Sequence, residues 1–344
     1  MTSLPPLPRE RIEALLSLIK GRRVVVIGDI MLDRYLIGDT DRLSPEAPVP
    51  VVAVRTSRSA LGGAANVAAN VQALGGTALL AGTIGEDDHG NLIRAELATH
   101  ALDARYLVTV ADRPTTTKTR VIARGQQVVR IDEEHDIPLA SNDSARLWAV
   151  VDAMLASADA LVLEDYNKGT LSVTLIREAI AAATRRGIPV VVDPKYQHFF
   201  DYSGATVFKP NRRELAAALG AEFDLDGDPL ALERARVRLG VDHLLVTLGP
   251  GGMALVEKGG RQWQVASRAR EVYDVSGAGD TVTAWVAAVL AAGGTVTEGA
   301  FLANYAAGIE VGKAGVATVS PSEVMAAYET EHDPVGRWRR GGAL

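Results

Sequence analysis

Four apolar runs, each closing on a polar residue, constrain the fold of this chain more than any other feature. Arg23–Asp29 reads Arg-Val-Val-Val-Ile-Gly-Asp, and the pattern returns at Ala160–Asp165, Ile188–Asp193 and His243–Gly249. A strand covered on both faces has no call to alternate polar and apolar residues, so such runs suit the middle of a parallel sheet. Alanine-rich stretches with helical spacing separate them: Ser144–Ala156, Leu171–Arg186, Arg213–Leu219 and Ala231–Leu239. This alternation predicts an α/β fold, a doubly wound and mostly parallel sheet flanked by helices. Ahead of the first run, Arg9–Lys20 puts Ile12, Leu15, Leu16 and Ile19 on one helical face.

Ligands of open α/β sheets sit outside the carboxyl ends of the strands. Asp29, Asp165, Asp193 and Thr247 mark those ends and point to one shared crevice. A single aspartate there is more simply a helix cap; the repetition favours a site. Two stretches break the alternation. Residues 37–56 carry Pro45, Pro48 and Pro50, and residues 105–135 hold the strand-like runs Arg105–Val110, Thr115–Ala123 and Gln127–Asp132. Proline marks edges and turns rather than central strands. Both stretches are read as one small β-sheet, a lid on a single domain with its core at 9–36, 57–104 and 136–328. Residues 329–344 lose periodicity and are expected to fray.

Composition closes off several functions. With no cysteine, disulfides, thiolate metal sites and cysteine nucleophiles are impossible. A net charge of −6 argues against a nucleic-acid partner, which calls for a dominant basic patch. No secretory leader and no bilayer-length apolar window are recognised, so no membrane association is expected and the cytoplasm is the default location.

The strongest chemical signal is Asp274-Val-Ser-Gly-Ala-Gly-Asp280, followed at once by the apolar stretch Thr281–Ala292. Gly277, Ala278 and Gly279 let the backbone turn and aim N–H groups one way. The helix behind adds the positive end of its dipole, which makes a seat for a phosphate. Asp280 beside such a seat is placed to act as a base, although a carboxylate at a helix start also serves as a cap.

These residues resemble the C-terminal signature of the ribokinase-like (PfkB) carbohydrate kinases. Other motifs follow in that family's order. Leu61–Ala68, with Gly62, Gly63 and Asn66, resembles its N-terminal sugar-binding motif. Asn211-Arg212-Arg213-Glu214 resembles its Asn-x-x-Glu motif, and Thr247–Gly252 resembles its nucleotide-phosphate loop. The resemblance covers about Arg22 to Val324. It implies ATP and Mg2+ as cofactors, Asp280 as catalytic base, and the backbone of Gly277, Ala278 and Gly279 as an anion hole. It further implies nucleotide contacts from Lys195, Asn211, Arg212, Arg213, Glu214, Thr247, Gly249, Gly252 and Asn304, with Glu214 ordering magnesium through water. Glu214 also fits the third position of a capping box.

The segments Asp41–Val52 and Glu164–Leu171 resemble the branch that phosphorylates D-glycero-β-D-manno-heptose 7-phosphate at C1, in lipopolysaccharide core synthesis. That resemblance implies sugar contacts from Asp33, Gly62, Gly63, Asn66, Glu134, Asn167 and Lys168. A substrate already carrying phosphate needs cations, and Lys118, Arg120, Arg130 and Arg34 are the candidates. The bland reading of these cations is a solvated edge strand. The resemblance also implies a homodimer through the lid. No His-x-Gly-His type motif of a second, nucleotidyltransferase domain occurs, which suggests the single-function form. The alternatives are a kinase of fructose 6-phosphate or tagatose 6-phosphate, or a catalytically silent sugar-binding regulator. A dinucleotide oxidoreductase lacks its Gly-x-Gly-x-x-Gly after the first strand.

Overall fold

Two sheets hold the named strands of the computed structural model, which describes residues 1–220, 228–269 and 272–332. The chain runs through β1 (Thr2–Ser3), α1 (Arg9–Ile19), β2 (Arg23–Gly28), β3 (Ile30–Leu43), β4 (Pro50–Gly63), α2 (Ala64–Ala73), β5 (Thr77–Gly85) and α3 (Asp88–Thr99). It continues through β6 (Leu107–Val110), β7 (Thr117–Ala123), β8 (Gln126–Glu133), α4 (Ser141–Leu155), β9 (Ala160–Glu164), α5 (Val173–Arg185), β10 (Val190–Asp193) and β11 (Val207–Phe208). After α6 (Arg212–Leu219), α7 (Ala231–Leu239), β12 (His243–Thr247), β13 (Met253–Val256) and β14 (Gln262–Val265), it closes with α8 (Ala278–Ala291), α9 (Val296–Glu310) and α10 (Pro321–His332).

The large sheet has the order β1-β14-β13-β12-β11-β10-β9-β2-β5-β6. It is parallel apart from the β12–β13 and β13–β14 pairings. Its central strands are covered on both faces, as their unbroken apolar runs require. Val24, Val26 and Val162 face the layer of α1, α2, α8 and α9, whereas Val25, Ile27, Leu161 and Leu163 face that of α4, α5 and α7. Helix α8 is apolar all round and buried nearly throughout, with Trp285 fully enclosed.

The small sheet has the order β4-β3-β7-β8. Strands β3 and β4 form a long antiparallel hairpin from Ile30 to Gly63, so this sheet begins well before residue 37 and runs past residue 56. The prolines fall where proline costs least: Pro45 and Pro48 between the strands, Pro50 at the first position of β4. Strand β6 corrects the expectation for 105–135. Leu107–Val110 pairs parallel with β5 at the rim of the large sheet, because Leu107 and Val108 are buried there. The expected fraying does not start at Glu329 either, since α10 continues to His332; residues 333–344 lie outside the described residues. No helix among the described residues is long and apolar enough to cross a membrane.

Candidate active site

The carboxyl ends of β2, β9, β10, β11 and β12 open toward the first turn of α8. Asp280 lies in that turn, three residues past the N-cap Gly277, and is 4 % exposed. It caps nothing. Its Oδ2 accepts from Asn66 Nδ2 at 2.8 Å and its Oδ1 from the Tyr166 hydroxyl at 2.7 Å. Asn66 sits on α2, where alanines bring the helix close, and its carbonyl and amide oxygens accept from Asn70 Nδ2 at 3.0 and 3.1 Å. Burial raises the Asp280 pKa to about 6. Asn66 and Tyr166 hold it down, Asp193 pushes it up and Lys209 holds it down. A carboxylate ionised at neutral pH, yet more basic than an exposed one, is well matched to accept a proton.

The turn before α8 has the geometry an anion would need. Asp274 Oδ1 accepts from Ser276 N at 2.9 Å, and Gly277 takes φ 91°. A β-carbon at Gly277 would stand 3.0 Å from Asn66 Nδ2 and 3.2 Å from Glu310 Oε1, so only glycine fits. The N–H groups of Ala278, Gly279 and Asp280 open the helix without intrahelical partners.

Behind this turn lies a charge cluster that the sequence did not announce. Glu164, Asp193 and Asp280 bring carboxylate oxygens within 4.8 Å of one another. Lys209, 3 % exposed, donates to Asp193 Oδ2 at 2.7 Å. Burial opposes the charged amine, but Asp193 and Glu164 keep its pKa above the usual lysine value. Burial, Asp193 and Asp280 hold Glu164 well above the ordinary carboxylate range. Among the described residues neither Glu164 oxygen has a hydrogen-bond partner of full geometry. An acidic group of this kind suits a divalent cation, so the donor set fits one placed beside Glu164 and Asp193.

The nucleotide motifs converge nearby. Asn211 and Glu214 make the capping box of α6 in full: Asn211 Oδ1 accepts from Glu214 N, and Glu214 Oε2 from Asn211 N, both at 2.9 Å. Glu214 Oε1 pairs with Lys195, whose amine also stands 5.0 Å from the centre of the Tyr166 ring. Asn211 bridges to Thr247, which joins this turn to the Thr247–Gly252 loop. In that loop Gly252 has φ 80°, and a β-carbon would meet Val265 O at 2.0 Å. Gly249 has φ 58° and open space around it. Arg212 and Arg213 lie on the exposed side of α6. Asn304 donates to Ala266 O at 2.7 Å beside a cavity of about 630 Å³ lined by Ser267, Arg268, Tyr305 and Gly308.

One face of the small sheet collects the expected sugar-side residues. Register sets Asp33 beside Lys118 and Asp132, and Tyr35 beside Arg120 and Arg130. Arg120 pairs with Asp33. Lys118 reaches Asp132 at 3.2 Å and Glu134 at 2.9 Å, and Lys168 reaches the other Glu134 oxygen at 2.8 Å. Arg130 bonds Asp132 at 2.9 and 3.0 Å. Gly62 passes over Asp33 where a β-carbon would lie 2.5 Å from Oδ2, and Gly63, at φ 56°, passes over Asp29 O. Asn167, at φ 54°, is 4 % exposed and its side-chain amide has no partner among the described residues.

Arg34 is a correction. Strand alternation turns it to the opposite face from Asp33, where it meets His89 Nε2 at 3.0 Å. Asp29 and Asp165 are corrections too. Asp29 accepts from the N–H groups of Tyr166, Lys168 and Thr170, and Asp165 from Asn167 N and the Tyr202 hydroxyl. Both shape the 165–170 loop rather than face a ligand. Tyr166, Lys209 and the pairing of Glu164 with Asp193 are the site residues that motif reading missed. All lie inside or next to recognised segments, but no local pattern reveals a buried lysine.

A buried carboxylate beside a glycine turn at the head of α8, facing the carboxyl ends of a mostly parallel sheet, suits an ATP-dependent sugar kinase. The comparisons agree: residues 22–323 match the pfkB family carbohydrate kinases, and the chain belongs to that family. The Bifunctional protein HldE of Gluconacetobacter diazotrophicus is 46 % identical over 304 residues, which is 88 % of this chain and 63 % of that protein. HldE of Rhodospirillum rubrum is 42 % identical over 337 residues, 93 % of this chain and 68 % of that one. The chain thus spans about two thirds of the length of these relatives. Among solved structures, Arabidopsis thaliana ribokinase complexed with ribose and ATP has a TM-score of 0.69 at 23 % identity, covering 90 % of this chain and 98 % of that one. Escherichia coli phosphofructokinase-2 in complex with fructose-6-phosphate has a TM-score of 0.70 at 20 % identity, with the same coverage.

Proposed function

We propose that the protein phosphorylates D-glycero-β-D-manno-heptose 7-phosphate at the C1 hydroxyl, giving the 1,7-bisphosphate for lipopolysaccharide core heptose. The observation that carries this reading is the cationic, carboxylate-bearing face of the small sheet. Lys118 and Lys168 share Glu134, and a substrate phosphate would compete with that carboxylate for both amines. Asp33 and the unpartnered amide of Asn167 supply hydroxyl partners. The similarity to the HldE proteins supports the same choice.

In the reaction Asp280 accepts the hydroxyl proton as that oxygen forms its bond to the γ-phosphorus, and the bond to the β–γ bridging oxygen breaks with ADP leaving. The N–H groups of the Gly277–Asp280 turn hold the charge on the moving phosphoryl group, the chief task in such transfers. Magnesium would be held by Glu164 and Asp193, with Glu214 acting through water, and would neutralise phosphate charge. Asn304 and the cavity beside it would hold the adenine end of ATP. The protein works in the cytoplasm on this reading.

The open edges of β4 and β8, with Val54, Val128, Val129 and Ile131 exposed, support a homodimer through the small sheet. Sedimentation of the full chain is expected to give twice its 36.4 kDa; a monomer at working concentration removes the dimer.

The test of function is ADP release by purified protein with ATP and magnesium, across heptose 7-phosphate, fructose 6-phosphate, tagatose 6-phosphate, ribose and no sugar. Selective turnover of heptose 7-phosphate to a 1,7-bisphosphate is expected. Preference for another acceptor keeps the kinase and discards the heptose. Tight sugar binding without turnover on any acceptor makes it a silent regulator.

A further inference from the structure

Glu310 is a carboxyl group for which the transfer has no use. It ends α9, is fully buried, and among the described residues neither oxygen has a hydrogen-bond partner of full geometry. Burying an ionised carboxylate without donors is costly, whereas the neutral acid tolerates such a place. Its location is specific. Oε1 would lie 3.2 Å from a β-carbon on Gly277, and Asn66 Nδ2 would lie 3.0 Å from the same point. Glu310 therefore backs the corner of the phosphate seat, beside the amide that holds Asp280.

Its charged surroundings are mostly acidic. Asp280 faces it from α8, Asp274 from the turn before α8, and Lys313 from the segment after α9. Lys313 is turned elsewhere, donating to Thr318 O at 2.7 Å and pairing with Glu323 at 2.6 Å. From the small sheet, Tyr35 and Arg120 approach Asp274, and the Tyr35 hydroxyl stands near Gly315. The Ala317 N–H is the backbone donor on this side and pulls the Glu310 pKa down, the smallest of these influences.

We propose that Glu310 is held as a neutral carboxylic acid behind the phosphate seat, and that losing its proton shuts the seat. The ionised form would set a negative charge behind the N–H groups that receive the phosphoryl group. It would also repel Asp280, whose proton affinity would rise. Burial first, then Asp280 and Asp274, push the Glu310 carboxyl up to about 8, which keeps the neutral form at neutral pH.

Two measurements test this, and only the second rests on the kinase having a known acceptor. A raised folded-state pKa means the folded protein binds this proton more tightly. That stability is fully present below the ordinary carboxylate range and is lost as pH rises through about 8. The melting temperature of Glu310→Gln relative to wild type should therefore climb between about pH 5 and about pH 8 and then level off. Second, wild-type kcat/KM should fall about tenfold per pH unit above about pH 8, using whichever acceptor the panel identifies. Glu310→Gln should keep its neutral-pH rate and its acid limb but lose that alkaline fall. Glu310→Met, an apolar side chain of similar length, should behave alike and serves if glutamine is not tolerated. A melting difference that is flat with pH overturns the proposal. So does an alkaline fall unchanged in the variants, or a loss of neutral-pH activity in folded Glu310→Gln, which would show that the ionised carboxylate is needed. Failure of heptose 7-phosphate alone leaves the melting result standing.

Discussion

Replacing Asp280 with asparagine is expected to lower kcat by about 10²- to 10⁴-fold while the variant still binds ATP. The amide keeps the shape but cannot take the hydroxyl proton. Coupled measurement of ADP release, alongside ATP binding by calorimetry, separates the two effects. A near-native rate in the asparagine variant would remove Asp280 from the role of base. The wild-type pH profile should show the same group. The base is active when ionised, so kcat/KM should fall as pH drops through about 6. The Tyr166 hydroxyl bond holds that pKa down, so Tyr166→Phe should move the acid limb to higher pH. An acid limb that stays put in Tyr166→Phe would mean another group sets it.

Lys209→Met is expected to cost about 3–5 kcal/mol of stability, the range seen when one partner of a buried ion pair is removed. Lys209 is 3 % exposed and its amine lies 2.7 Å from Asp193, with Glu164 alongside. Methionine fills the volume but leaves two buried carboxyl groups facing each other and Asp280 without their cation. They would have to take up protons or admit water. The urea midpoint measures the loss, and an unchanged midpoint would show that the cluster balances itself. The same variant should move the acid limb of catalysis upward, because Lys209 helps hold the Asp280 pKa down. Asp280→Asn therefore damages chemistry and spares the fold, whereas Lys209→Met damages both.

Much of the site was legible because its chemistry is encoded locally. Asp274–Asp280 announces a tight turn into a helix through the spacing of its glycines, and Gly277 makes that turn at φ 91° as the N-cap of α8. The Asn211/Glu214 capping box was likewise legible, and Glu214 shows how one side chain closes a helix while pairing with Lys195. The cations of the small sheet were found by residue type. Their partners were not, because Glu134, just past the end of β8, meets Lys168 of the 165–170 loop only in the folded chain. Arg34 was misplaced for a related reason: in a strand one residue of shift reverses the face, and the register between β3 and β7 comes from pairing across more than eighty residues. Strand β6 shows the limit for whole elements. Leu107–Val110 has the same β-forming composition as the runs beside it, so nothing local told it to join the large sheet rather than the small one.

Residue order along the chain was enough for the doubly wound sheet, the small second sheet and the carboxylate at the head of α8. Each rests on short-range chemistry: apolar runs that need cover on both faces, prolines that refuse central strands, glycines that permit one turn. The environment of that carboxylate was settled by residues far apart in sequence. Asn66 and Tyr166 each lie more than a hundred positions from Asp280 and hold its two oxygens. Burial of Glu164, Lys209 and Glu310 depends on the packing of α8 and α9 against the sheet. Proton affinity is a property of the medium around a group, and a linear pattern carries no record of which side chains water has left.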